Sequence, residues 1–147
     1  MKKPFCSELY DQNDTPAREV LRQSFDRIWG IDLQDNPDKY GADLLAFIGG
    51  TFIGFVEFEV KHNWQGYRFP FSTVHFPKRK ERIFESQPLI FVMLNQPMTR
   101  FVWFPFQAIA QGARIEKKTK LTDFDEGFIE VPVSLGRFRL TGSTSEL

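Results

Sequence analysis

Two carboxylates and an ammonium alternate with apolar residues in Glu57-Phe58-Glu59-Val60-Lys61, and a further acid, Asp43, lies upstream. Oxygen donors of this kind suit a hard divalent cation. Mg²⁺ takes one or two protein carboxylates and fills the rest of its shell with waters and substrate phosphate oxygens. The main-chain carbonyl of Val60 can complete such a shell. An ammonium two residues beyond Glu59 can hold a water for attack, or stabilise charge developing on a phosphate. Asp43, Glu59 and Val60 are therefore the candidate ligands for Mg²⁺ or Mn²⁺, and Asp43, Glu59 and Lys61 the candidate catalytic set.

These side chains work together only if the chain folds them onto one face. The alternation over residues 51–61 predicts a strand with Glu57, Glu59 and Lys61 on one side and Val56, Phe58 and Val60 on the other. Residues 41–48 read as its hairpin partner around Gly49-Gly50. Register decides the rest, because a slip of one residue sends a side chain to the opposite face. A two-residue turn with regular pairing puts Asp43 opposite Val56, facing away from the acids. A three-residue loop, Gly49-Gly50-Thr51, puts it opposite Glu57 and diagonal to Glu59, roughly 7–8 Å away at the backbone. A three-residue loop or a bulge is therefore expected.

Elsewhere, Thr15-Pro16 predicts a helix start, with Ala17, Leu21, Phe25 and Ile28 at helical spacing and Gly30 as the stop. Residues 32–39 read as a polar loop. Residues 71–76 suggest a short strand, and 78–84 a helix opened by Pro77. Strands are expected at 89–94, 100–104 and 128–133, a short helix at 106–113, and a polar exposed segment at 117–125. The sum is an α/β chain in one domain over residues 1–147, with a mixed central sheet flanked by helices and a frayed tail at 142–147.

In this arrangement the chain resembles the PD-(D/E)XK nuclease superfamily. Asp43 matches the first acid, Glu59-Val60-Lys61 the (D/E)xK element, and the helix before them the first core helix. The resemblance implies a restriction-endonuclease-like αβββαβ core and Mg²⁺-dependent hydrolysis of DNA. It makes Asp43 and Glu59 metal ligands and Lys61 the catalytic lysine. The basic Lys78-Arg79-Lys80 is similar to the segment by which many members hold DNA near the site. Some members add an acid from the first helix. Glu19 occupies that place here, although it projects nearly opposite the apolar stripe. Glu57 is an accessory acid without a counterpart in the minimal motif. Members of this size often act as homodimers on branched or duplex DNA.

Composition narrows the alternatives. The chain has 147 residues, 19 basic and 19 acidic, so it has no field suited to a long non-specific DNA track, and binding must rest on local patches. Cys6 is the only cysteine, which excludes an internal disulfide and fits a reducing compartment. The longest apolar run, Leu89 to Leu94, is far short of a membrane span, and no signal peptide opens the chain. A soluble intracellular protein is expected. Neither His62 nor His75 has ligand-spaced partners, so both read as surface or satisfied histidines. Trp64, Tyr67 and Phe69 are able to stack on unpaired bases, but a chain with 17 Phe places most aromatics in its core. The rival reading is a non-catalytic nuclease-like module that binds DNA or a protein partner.

Overall fold

The computed structural model describes residues 7–38, 41–77, 89–118 and 125–142. Helix α1 (Ser7–Trp29) leads into a meander of β1 (Asp32–Asp35), β2 (Leu44–Ile48) and β3 (Thr51–Lys61). Then come β4 (Thr73–Pro77), β5 (Leu89–Asn95), β6 (Arg100–Pro105), a short helix α2 (Phe106–Ala110), β7 (Ala113–Lys118), β8 (Asp125–Pro132) and β9 (Arg137–Leu140). Six strands form a mixed sheet in the order β1-β2-β3-β5-β6-β9, in which β3 and β5 run parallel and the other neighbours antiparallel. A second, antiparallel sheet has the order β4-β8-β7.

The large sheet is buried on both faces. Ala17, Leu21 and Phe25 of α1 recur at helical spacing and pack on Leu44, Ala46, Val56, Phe58, Val92 and Phe101. On the other face, Phe91 and Met93 of β5 and Val102 and Phe104 of β6 meet Val74 and Phe76 of β4 and Ile129 and Val131 of β8. The expected helix-flanked sheet is thus covered by α1 on one face and by a small sheet on the other. Burial on both faces explains why β5 is apolar almost throughout rather than alternating. No helix among the described residues is long and apolar enough to cross a membrane.

Three local expectations are corrected. Helix α1 begins at Ser7, not at Thr15, so Pro16 lies inside it. Proline removes one helical hydrogen bond, and an ion pair between Asp14 and Arg18 at 2.7 Å spans the turn that contains it. Residues 32–35 form β1, although only Leu33 among them is apolar and buried. This short edge strand pairs with β2 on one side only, so its charged flanks stay in water and discourage further pairing. Residues 113–118, partly read as a polar exposed segment, form β7. The helix expected at 78–84 and the basic run Lys78, Arg79 and Lys80 lie outside the described residues, as do Cys6 and residues 143–147.

The β8 strand sits against Gly112, where a Cβ would lie 2.6 Å from Ile129 Cγ2 and 2.8 Å from the Glu130 carbonyl oxygen. A main-chain oxygen cannot swing aside as a flexible side chain can. Gly112→Ala should therefore destabilise the chain by about 1–3 kcal/mol in urea unfolding, as overpacking does. An unchanged midpoint would show that β8 yields freely at this point.

Candidate active site

The β2–β3 hairpin carries the register on which the acids depend. Its turn is the two-residue Gly49-Gly50, both at positive φ (+56° and +80°), with Ile48 paired to Thr51. Successive left-handed residues are what a tight hairpin turn matching strand twist demands, and glycine supplies them without steric cost. The register then shifts: Phe47 pairs with Phe52, but Ala46 pairs with Gly54, leaving Ile53 as the extra residue of a bulge. Beyond it Leu44 pairs with Val56, so the next step brings Asp43 opposite Glu57. The three-residue loop is not formed, because the two glycines close the turn alone; the extra residue is present instead as the bulge within β3.

Two hydrogen bonds lock Asp43 to β3. Its N–H donates to Glu57 Oε1 at 3.0 Å, and its Oδ2 accepts the Phe58 N–H at 3.1 Å. Together these extend the ladder past its last regular pair. Glu57 is almost wholly buried, at 3% exposure. Sequence patterning assigned it no task, and here it holds the main chain of Asp43.

Arg18 of α1 gathers this corner. Its Nε bonds Asp14 at 2.7 Å, and its Nη1 bonds Asp35 Oδ1 at 2.8 Å and the Asp43 carbonyl at 3.2 Å. Its Nη2 lies 3.8 Å from Asp43 Oδ1. Arg22 adds a bond to Asp35 at 2.7 Å and one to the Leu33 carbonyl at 3.3 Å. Helix α1 thereby fixes both β1 and the start of β2. Nothing in the spacing of Arg18 marks it for this role, because its partners lie on three different elements.

Desolvation pushes the Asp35 carboxyl up, but the hydrogen bond from Arg18 and the charges of Arg22 and Arg18 together outweigh it and hold the carboxyl below its usual value of 3.8. Because the folded state lowers this value, the pairing stabilises the chain above that pH and is lost as pH falls through the folded value. In Asp35→Asn, the loss of urea stability on acidification should be smaller than in the wild type. Its side chain is 61% exposed, so screening limits the difference to about 1 kcal/mol. Equal acid sensitivity in both proteins would contradict the clamp.

Glu59 and Lys61 continue the same strand face, with Lys61 Nζ 3.7 Å from Glu59 Oε1. They open into a cleft of about 480 Å³ between the two sheets, lined also by Asn63, Phe69, Phe71, Thr73, His75 and Phe128. His75 bonds Glu130 across β4 and β8, Nε2 to Oε2, at 2.8 Å. This pair was not legible from spacing, since its members are 55 residues apart. Asn95, fully buried, ties down the loop after Lys61: its Nδ2 donates to the Gly66 carbonyl at 3.1 Å, and its Oδ1 accepts the Thr99 N–H at 2.8 Å.

The candidates thus fall into two adjoining groups. Asp43 and Glu57 are bonded together beside Arg18, and Glu59 and Lys61 face the cleft. The Val60 side chain packs on the helix side of the sheet. Glu19 stands apart on the exposed side of α1, bonded by Gln23 at 3.1 Å and 3.8 Å from Arg22. Trp64 is buried in the core, Tyr67 stacks on Arg100, and Phe69 lines the cleft. Among the described residues, no group of three or more His, Cys, Asp or Glu side chains is gathered as for a metal ion.

The donors nonetheless suit a hard cation. All are oxygens, and a carboxylate carries about four acceptor positions, so a bonded carboxylate can still ligate. Glu57 is buried, while the Asp43 carboxylate beside it is partly exposed and faces the Arg18 guanidinium. No protein-family model, curated protein or solved structure matched the chain.

Proposed function

We propose that this chain is a metal-dependent nuclease that hydrolyses DNA phosphodiester bonds, and that it acts as a homodimer by resemblance to the PD-(D/E)XK superfamily. The observation that carries this reading is the bulged register, which aligns Asp43 with Glu57 and continues through Glu59 to Lys61 at the mouth of a cleft. The element order is compatible with it: helix α1 and a three-strand meander come first, and after β4 and residues 78–88, which lie outside the described ones, β5 runs parallel to β3.

Asp43, Glu59 and the Val60 carbonyl would hold Mg²⁺ or Mn²⁺. When bound, the ion supplies Lewis acidity toward a phosphoryl oxygen and lowers the pKa of a ligated water. Lys61 orients the attacking water or stabilises charge on the phosphate. Arg18 and Glu57 fix the position of Asp43. Lys78 and Lys80 would hold the DNA backbone.

Cleavage of a panel of duplex, branched, flapped and single-stranded DNAs, with and without Mg²⁺, tests this reading. Mg²⁺-dependent products support it, and none on any substrate would sink it. One set of observations favours a non-catalytic nuclease-like module instead: Asp43 caps a strand N–H beside Arg18, and Lys61 pairs with Glu59. On that reading the same panel binds without being cut.

A further inference from the structure

We propose that the cleft beside Glu59 and Lys61 receives one unpaired nucleobase, so that the preferred substrate is single-stranded, frayed or branched DNA rather than continuous duplex; this rests on the nuclease reading above. A recess of about 480 Å³ is the size that takes one small organic molecule. A stacked base pair cannot enter it. An extruded base can, as in enzymes that draw a nucleotide out of its stack.

The lining fits a base better than a phosphate. Phe69 and Phe71 stand edge to face, with ring centroids 5.8 Å apart, and Phe128 adds a third ring. Flat aromatic walls stack on any base. Asn63 and Thr73 supply hydrogen-bonding groups for a base edge, and the His75–Glu130 pair closes one side of the recess. Glu59 offsets the charge of Lys61, so the recess does not hold a net positive field. Lys61 shares the lining of the recess and lies 3.7 Å from Glu59. Phe71 is 47% exposed at the rim of the cleft, so its ring is open to a ligand seated there.

Fluorescence anisotropy with labelled oligonucleotides tests this, with Ca²⁺ replacing Mg²⁺ to limit turnover. The full-length chain should bind a single strand at least tenfold tighter than a blunt duplex of equal length. Phe71→Ala should weaken single-strand binding on the order of tenfold and leave duplex binding unchanged. Asn63→Ala should weaken it less. Equal affinity for both DNAs, no binding to either, or an unchanged affinity in Phe71→Ala would overturn the inference. Lys61-dependent cleavage of duplex with no effect of Phe71→Ala would overturn it while the nuclease reading stands. Phe71-dependent binding of single strands without Mg²⁺-dependent cleavage would support it and remove the nuclease reading.

Discussion

Lys61→Ala and Asp43→Asn should each abolish Mg²⁺-dependent DNA cleavage while leaving far-ultraviolet circular dichroism unchanged. For Lys61→Ala the expected loss in kcat is on the order of a hundred- to a thousandfold, the scale seen when one preorganised donor to developing charge is removed. The fold should tolerate the change. The Lys61 side chain is 25% exposed and its partner Glu59 37%, so the orphaned carboxylate reaches water. Asp43→Asn keeps an oxygen able to accept the Phe58 N–H and keeps the main-chain bond to Glu57, but loses the charge that an ion needs. Cleavage at the wild-type rate by either variant would remove these residues from the reaction.

The largest effect on stability is expected at Trp64. It is fully buried, and its ring meets those of Phe69 at 5.1 Å and Phe138 at 5.8 Å, both edge to face. Its main chain binds the Lys61 carbonyl at 3.1 Å and the Gln96 N–H at 2.7 Å, so it anchors the turn directly after the candidate site. Trp64→Ala should cost about 3–5 kcal/mol through lost burial and a cavity. That corresponds to a fall in Tm of roughly 10 °C. Trp64→Phe should cost far less, because the buried indole N–H has no hydrogen-bond partner among the described residues and its removal leaves nothing unpaired. If Trp64→Phe proved as damaging as Trp64→Ala, shape complementarity at the indole rather than burial would govern this part of the core.

The parts of the fold legible in the sequence are those where one residue's neighbours in the chain decide its environment. Strand β3 announced itself through alternation, β5 through an apolar run, and the core face of α1 through Ala17, Leu21 and Phe25. The extra residue followed only from requiring Asp43 and Glu59 to share a face, and a longer turn met that requirement as well as the bulge that is present. Strand β1 was missed because Leu33 is its one apolar residue and its stability comes from Arg18 and Arg22 across the helix interface. The His75–Glu130 pair and the aromatic cleft were missed for the same reason. They exist only once β4 and β8 pair and fold over the large sheet. Glu57 looked redundant beside Glu59, yet burial and a bond to Asp43 give it the more constrained position.

The central claim is that Asp43 and Glu59 share a divalent cation. Calorimetric titration of Mn²⁺ into the full-length wild type, Asp43→Asn and Glu59→Gln addresses it most directly, because it reads the ion and not the reaction. The account predicts binding of one ion by the wild type and a loss of affinity of about tenfold or more in each variant. No Mn²⁺ binding by the wild type, or the same affinity in all three proteins, would contradict it.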